Sequence, residues 1–550
     1  WGQKTYYTQL RLAPFGKAEA EEFLTFLLGH DPTLATLRQQ ILAKTEGTPF
    51  FMEEVVQTLA EEGVLSGNRG QYQLTPHIST QHVGTLQLPT TVQGVLAARI
   101  DRLAPDEKAL LQQLAVIGRE FPLGLVRRVI AQPEDELHRL LASLQHKEFL
   151  YEQPAVPEVE YLFKHALTQE VAYTSLLIER RKTLHEQTAQ AMEQLYKDNV
   201  DEHYSDLARH YSRSGNAAKA VEYLSLAGQQ AARHSANAEA INYFTTALAL
   251  LKTLPDTAAR DRQELVLQLN LGASLIATKG YTAAGVEHAY TRAQGLCLQV
   301  GEPLQVAQVL YGLWVFNAVK GDLTAALALG EQFLTVAHGQ QDAALSLVVH
   351  AVMGATLLWR GEFAPAQVHL DQAFAFHDPT HHRDLAYQMG QDPGLMALQF
   401  TAAPLWYRGY PDQAITRIRH VLSLAQSLAH PFSMAAVLDE VVLVHLLRRE
   451  SQDALAHAGA LLTLAHEHGF SGWLRVGTYL QGWALVEQAG TWEQRETGLM
   501  QIREGMAAAD AAGTKLYGPL LLGALARGYA QGGQAEEGLK AIAEALAAVN

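Results

Sequence analysis

The sequence lacks the features that mark several large classes of protein. Cys297 is the one cysteine among 550 residues, which excludes an internal disulfide and a zinc site built from cysteines. Lysine and arginine number 42 against 57 acidic residues, a formal charge of −15, so the basic stripe that nucleic acid or an anionic membrane requires is missing. The longest apolar run, residues 344–359, is interrupted by Ser346, His350 and Gly354 and is shorter than a membrane span. No secretion signal opens the chain, and we expect a cytoplasmic protein that contacts neither nucleic acid nor membrane.

Motifs for catalysis are also missing. The segment FGKAEA around Lys17 comes nearest to a phosphate loop. Ala18 stands there in place of the serine or threonine that would hold magnesium, and Arg11 stands in place of the first glycine. No glycine-framed nucleophilic serine is present, and the carboxylates are predicted to lie on solvated faces. We therefore predict no catalytic residue and no enzymatic activity in this chain alone. Because the chain starts at Trp1, without a methionine, we interpret it as the later part of a longer polypeptide.

Residues 1–83 are predicted to form a short strand followed by helices. The predicted elements are a strand over 6–12, helices over 17–29 and 34–47, and a turn with a short strand over 67–76. Each of the two helices ends in a glycine, which suits a left-handed cap. A third helix is predicted from Thr48 and Pro49, because threonine favours the N-cap and proline favours the first helical position.

Residues 84–195 are predicted to form a winged-helix domain. Its elements are helices within 88–103, 106–118, 121–130 and 133–150, followed by a two-stranded wing formed by 149–151 and 158–165. Winged-helix domains bind DNA or protein. The candidate recognition helix has only Arg127 and Arg128 as cationic residues, and the chain is acidic, so we favour a protein contact.

His165 lies where the second strand of that wing meets the next helix. The apolar segment 161–163 stops at this point, and an amphipathic helix begins with Leu167, Val171 and Ala172 on its apolar side. Free N–H groups at a helix N-terminus suit an anion. Two interpretations are open: His165 contacts a phosphate, or it is a polar junction residue that bonds to the backbone.

Residues 196–550 are predicted to form an α-solenoid of helical hairpins. A turn glycine followed five residues later by a small residue recurs as Gly280 and Gly285, Gly321 and Ala326, Gly361 and Ala366, Gly409 and Ala414, and Gly533 and Gly538. Arg449 replaces the glycine of one unit, and Gly490 fits only with an insertion. The turns lie 40 to 48 residues apart, which exceeds the ~34 residues of a standard tetratricopeptide unit. Stacked hairpins create an extended groove, for which we predict a protein or peptide partner. We predict that the tryptophans of this region are mainly core residues, and the less favoured alternative is that one or two face the groove as partner anchors: Trp314, Trp359, Trp406, Trp473 and Trp483.

The densest group of metal-ligand residues lies in one short segment of the solenoid. It comprises His377, Asp378, His381, His382 and Asp384. Pro379 and the unusually long 48-residue step indicate a polar loop here, whereas a metal site normally sets its ligands on one face of a rigid element. We therefore predict no metal site.

Two groups of motifs together resemble a known family. LPTTVQGVLAARIDRL, REFPLGLVRRV and FKHALTQEVAYTSLL are similar to the winged-helix part of STAND-type signalling ATPases. GQDPGLMALQF, GYPDQA, HPFSMA and EHGFSGW are similar to the tetratricopeptide part of bacterial proteins that carry an N-terminal class III adenylyl or guanylyl cyclase. The resemblance implies the order cyclase, ATPase, winged helix and solenoid, with residues 1–83 as the strand and helical lid that end an AAA+/STAND ATPase module. The phosphate loop, the magnesium-binding motif and the cyclase domain of that family are absent from this chain.

The resemblance also implies three nucleotide-binding residues. A Gly-x-Pro element of the lid, matched by Gly47 and Pro49, lies near adenine in the family, and the histidine matched by His165 touches the ADP β-phosphate. ATP or ADP is thus an implied ligand of the full-length protein, and none is expected to be held tightly by this chain alone. The alternative is a plain helix junction at each position, with Phe50 and Phe51 as core residues.

Three functions are compatible with these features. The first is the regulatory part of a STAND-type protein, in which a nucleotide-gated lid and winged helix connect a signal-receiving solenoid to upstream ATPase and cyclase domains. The second is a plain tetratricopeptide scaffold with no nucleotide role. A transcription regulator is the weakest, because the chain ends in EEGLKAIAEALAAVN with no basic helix after it.

Overall fold

The structure is a computed structural model that describes residues 13–76, 89–155, 158–338, 342–378 and 385–549. The chain forms two compact units, Trp1–Asn216 and Ala217–Asn550. Both are mainly helical, as predicted. The strand predicted over 6–12 lies outside the described residues.

The helices of the first unit follow the predicted pattern. They are Lys17–Leu28, Ala35–Thr45, Pro49–Glu61, Val92–Asp101, Pro105–Ile117, Leu123–Val129, Glu134–His146, Ala166–Thr174, Ile178–Leu195 and Tyr204–Ser214, with 3₁₀ turns at Pro32–Leu34 and Val200–His203. Gly29 ends the first helix with a φ of 93°, and Glu46 and Gly47 both take left-handed conformations after the second. Buried leucines and other apolar residues of the first three helices form one core, which Val95 joins from the fourth.

Three short strands among the later helices of the first unit form a small antiparallel sheet. Leu150–Gln153 pairs with Glu160–Phe163, which confirms the predicted wing. A third strand, Glu120–Pro122, pairs with the other edge of Glu160–Phe163, so the prediction of two strands was incomplete. Three residues ending in proline carry too little pattern to predict a strand, because proline cannot donate to the ladder. A separate pair, Leu65–Ser66 with Gln73–Leu74, contains the short strand predicted over 67–76.

The second unit is a tetratricopeptide-type α-solenoid, in which helices adjacent in sequence pack as antiparallel hairpins. Its helices are Ala217–Arg233, Asn237–Leu251, Ala258–Lys279, Ala284–Val300, Pro303–Lys320, Leu323–His338, Ala343–Trp359, Phe363–Ala375, Leu385–Met389, Pro393–Gln399, Ala402–Tyr407, Pro411–Leu428, Pro431–Leu447, Ser451–His468, Ser471–Gln488, Trp492–Ala511, Gly518–Gln531 and Ala535–Val549. No helix among the described residues is long and apolar enough to cross a membrane.

The turns between the hairpin helices confirm most of the predicted repeat. Left-handed conformations, which favour glycine, occur at Gly280, Gly321, Gly361, Gly409 and Gly533. Arg449 has a φ of 63°, so it occupies the glycine position of its unit despite its side chain. Gly490 is not left-handed, although it lies between two helices as expected.

The small residues after those turns are mostly buried, as predicted. Ala326, Ala366, Ala414 and Ala454 are fully buried against neighbouring helices. Gly285 is exposed, and Val286 takes the core position instead, so the predicted small residue of that unit was wrong by one position.

The 48-residue step contains three short helices in place of one long helix. After the helix Phe363–Ala375, the described chain before the turn at Gly409 forms Leu385–Met389, Pro393–Gln399 and Ala402–Tyr407. A left-handed Gly390 and a helix-starting proline interrupt any continuous helix here.

Early and late hairpins of the second unit contact each other directly. The Ser471 hydroxyl donates to the Thr278 carbonyl at 2.5 Å, and the Thr282 hydroxyl donates to the Ala512 carbonyl at 2.6 Å. The Lys515 N–H donates to the Val319 carbonyl at 3.0 Å. The hairpins therefore curve around an enclosed interior.

Tryptophans contribute to that interior. Trp314, Trp473 and Trp483 are buried, which confirms that they are core residues. Trp314 donates its indole N–H to the Thr356 hydroxyl at 2.8 Å and stacks on the half-buried Trp359, with ring centroids 5.8 Å apart. Trp406 is also only half-buried.

Candidate functional site

Gly47 brings the backbone ahead of the helix Pro49–Glu61 into close contact with another segment. Its φ is 76°, and its carbonyl accepts a hydrogen bond from the Phe15 N–H at 2.8 Å. A Cβ at this position would lie 2.3 Å from the Phe15 carbonyl oxygen. Both the conformation and the packing therefore require glycine.

Pro49 begins the helix Pro49–Glu61, as predicted. Thr48 takes the N-cap position, but its side chain makes no capping hydrogen bond, so the predicted reason for threonine here was wrong. The Thr48 N–H instead donates to the Thr45 carbonyl at 2.9 Å, which tightens the turn that leads into the helix.

His165 is the N-cap residue of the helix Ala166–Thr174 and lies beside the start of the helix Pro49–Glu61. Its imidazole ring packs on the Phe50 ring, with centroids 3.8 Å apart and planes 39° apart. Its side chain makes no capping bond, and its Nε2 atom is buried without a hydrogen-bond partner. Phe50 follows Pro49 directly, so the structure places the segment of Gly47 and Pro49 close to His165, the residue predicted to contact a phosphate. Sequence spacing alone did not indicate this proximity.

Charged side chains surround this junction. Lys164 donates to Glu148 at 2.5 Å and lies 3.8 Å from Glu53, which also binds Arg69 at 2.7 Å. Burial, and next the charge of Lys164, lower the pKa of His165, so its imidazole is neutral at physiological pH. A neutral ring carries one N–H, and if the proton is on Nε2, that unpartnered atom can donate to an anion.

Gly47→Ala is expected to destabilise the first unit by about 2 kcal/mol or more, since the substitution adds both left-handed strain and a clash with the Phe15 carbonyl. Gly63→Ala is the matched control: its φ is 70°, but no atom lies within 4 Å of the added Cβ. It should therefore cost only the conformational penalty, about 1 kcal/mol. Urea unfolding measures both variants, and equal losses would show that the contact with Phe15 is unimportant.

The predicted polar loop with metal-ligand residues lies mostly outside the described residues, which include only His377 and Asp378 of that group. Within the described part of the chain, three possible ligands come together elsewhere, at His445, Glu450 and Asp453. His445 binds Glu450 at 2.8 Å, and Arg448 binds the same carboxylate at 2.9 Å. We interpret His445, Arg448 and Glu450 as an ion-pair network, to which Asp453 adds no ion pair in the described part of the chain.

The expectation that carboxylates lie on solvated faces was wrong for several residues. Glu54 is buried against Arg99, and Asp439 and Glu440 are buried in the interior of the second unit. The latter two occur in the apolar segment AAVLDEVVLVHLL, a signal that could have identified them from the sequence.

Comparisons with known proteins add a distant context. The chain matches no protein-family model. An uncharacterized protein of Rhizobium meliloti (strain 1021) is 21% identical over 471 residues, which cover 84% of this chain, and the chain spans 44% of the length of that relative.

The similar solved structures are also distant. A signal transduction ATPase with numerous domains (STAND) and a tetratricopeptide repeat sensor, from Pyrococcus horikoshii, is 10% identical with a TM-score of 0.49, over 97% of this chain and 72% of that one. A Rap protein complexed with competence and sporulation factor is 10% identical with a TM-score of 0.43, over 60% of this chain and 97% of that one. Yeast Tom70 is 12% identical with a TM-score of 0.27, over 67% of this chain and 90% of that one. The helical-repeat fold is established by the hairpins described above.

Proposed function

We propose that this chain is the regulatory region of a STAND-type signal-transduction protein, in which nucleotide state gates the output and the solenoid receives a signal. The contact between Phe50 and His165 carries the proposal, because it places the lid loop beside the histidine of the wing–helix junction. The unpartnered Nε2 supports a ligand there, since a buried donor or acceptor without a partner is costly.

In this proposal ADP is held by the chain's own residues in two places. The backbone of Gly47 and Pro49 approaches the adenine without an intervening side chain. His165 donates an N–H to the β-phosphate, reinforced by the free N–H groups at the start of Ala166–Thr174. The Gly47–Pro49 loop and His165 belong to two different segments of the first unit. ADP bound to both would therefore favour the closed arrangement of lid and wing.

The output domain in this proposal is a class III adenylyl or guanylyl cyclase that precedes an ATPase module in the same polypeptide. The solenoid would bind a protein or peptide partner or a small ligand on its inner surface, as stacked hairpins generally allow. Determining the sequence encoded ahead of Trp1 tests this directly. A phosphate loop and a cyclase domain are the expected findings.

His165→Ala in the full-length protein is expected to speed ADP release about tenfold or more and to raise signal-independent output. The variant loses one hydrogen bond to a charged phosphate, worth roughly 1.5–3 kcal/mol in the closed state. Release is measured with a fluorescent ADP analogue, and the melting temperature is measured on the same sample.

His146→Ala is the control, because that histidine is exposed on the helix Glu134–His146 of the same unit. It should leave ADP release unchanged. If His165→Ala also leaves ADP release unchanged and only lowers the melting temperature, His165 is a junction residue. The chain is then better described as a tetratricopeptide scaffold without a nucleotide role.

A further inference from the structure

The interior of the second unit contains a cavity of about 90 Å³ between the early and late hairpins. At about 30 Å³ for each water, this volume corresponds to roughly three waters, which is the size of an organic molecule with a few heavy atoms. Aromatic rings dominate its wall, among them Trp314, Trp359, Trp473, Tyr281, Tyr479 and Tyr517.

Asp439 adds a carboxylic acid to this aromatic wall. The residue is only 9% exposed. Its pKa is raised by burial alone, to about 7, with no hydrogen bond or ion pair from the described part of the chain to oppose the shift. An acid that is buried without a partner is held in the neutral form and has unused capacity to bind a cation.

The charged and titratable groups around Asp439 do not neutralise it. Arg475 also lines the cavity, but it is not an ion-pair partner of Asp439, and burial lowers its pKa. Glu440, the next residue on Pro431–Leu447, is itself an acid whose pKa is raised by burial and then by Asp439. The neighbouring hydroxyls of Tyr281, Tyr479 and Tyr517 stay neutral, because burial raises the pKa of each one.

We infer that this cavity binds an organic ammonium ion with an apolar body, with Asp439 as its counter-ion and the tryptophan and tyrosine rings as its cage. An ammonium ion pairs with the carboxylate and is attracted to the faces of the aromatic rings. A neutral apolar ligand would leave the acid unpaired, and an anion would be repelled once the acid ionised. Only the role of this ligand as the signal that the solenoid receives rests on the proposed sensor function. The binding itself does not.

The test uses this chain with two small probes of the same shape, propylamine and 1-propanol, so it does not depend on nucleotide binding. Trp314, Trp359 and Trp473 line the cavity, so their fluorescence reports occupancy, and calorimetry confirms the affinity. The amine is expected to bind at least roughly tenfold more tightly than the alcohol, the effect of one charge-assisted bond. Its affinity should rise as the pH increases through about 7, because Asp439 must lose its proton.

Asp439→Asn should lower the affinity for the amine by roughly tenfold or more and abolish its advantage over the alcohol. Asp453→Asn, an exposed acid on the next helix, should change neither affinity. The inference is overturned if the amine shows no saturable binding, if the alcohol binds equally well, or if Asp439→Asn retains the preference. None of these outcomes bears on His165, whose test is ADP release.

Discussion

Arg99→Ala is expected to lower the free energy of unfolding of the first unit by about 3–5 kcal/mol. Arg99 is 2% exposed, and its guanidinium binds the buried Glu54, donates to Glu61 at 2.7 Å and donates to the Lys147 carbonyl at 2.9 Å. Removing it leaves Glu54 buried without its cation, which costs far more than the loss of an exposed ion pair. Urea unfolding at neutral pH measures the loss.

Arg102→Ala is the matched control, since Arg102 pairs with Glu62 between the same two helices but in solvent. Exposed pairs contribute at most about 1 kcal/mol, so this variant should remain near the wild type. A similar loss in both variants would mean that burial of the Arg99 pair is irrelevant.

The pH dependence of the Arg99→Ala defect provides a second check. Burial raises the pKa of Glu54 even though Arg99 opposes the shift. Without Arg99 the pKa of Glu54 in the folded state rises further. The variant then loses stability as the pH rises above the pKa that Glu54 has in the unfolded chain. The defect should therefore shrink toward acidic pH, and Glu54→Gln added to Arg99→Ala should recover part of the loss.

Most helices and turns could be predicted because their signals are local. The period of apolar residues, a helix-starting proline and a turn glycine can each be recognised within a short stretch of sequence. The repeat also survives the loss of its glycine, since Arg449 takes the left-handed turn once the flanking helices fix it. The strand Glu120–Pro122 was missed because the signal that defines it belongs to its partner, Glu160–Phe163.

The candidate sites were less predictable because they depend on distant residues. The Arg99–Glu54 pair and the packing of Phe50 on His165 join different segments of the first unit, and neither carries a signal in its own neighbourhood. A family resemblance pointed to His165 and the Gly47–Pro49 loop, but it did not indicate that the Phe50 ring packs on His165. Asp439 was missed because acidic residues are solvated far more often than buried.

Asp439→Asn is expected to raise the free energy of unfolding of the second unit by up to roughly 4 kcal/mol at about pH 8, and to have little effect near pH 4. Burial raises the pKa of Asp439 from 3.8 to about 7. The folded state thus keeps a proton that the unfolded state releases. The stability of the wild type is therefore unaffected below the pKa of aspartate in the unfolded chain, and it falls as the pH rises from there toward about 7. Asparagine keeps the shape and removes this penalty. Urea unfolding across that range, followed by tryptophan fluorescence, measures it.

Asp453→Asn is the control, because that acid is exposed and its substitution should change the free energy of unfolding little. If wild type and Asp439→Asn lose stability in parallel as the pH rises, ionisation of the Asp439 carboxyl does not destabilise the folded state. If the predicted divergence is found, the chain retains an acid that weakens its own fold at neutral pH, although an amide of equal size would relieve it. A group kept at such a cost is expected where it serves binding, since stabilising substitutions at functional positions usually reduce function. The two measurements on one variant, higher stability and loss of the ammonium preference, would then share a single physical cause: the unpaired charge of Asp439 in an aromatic cavity.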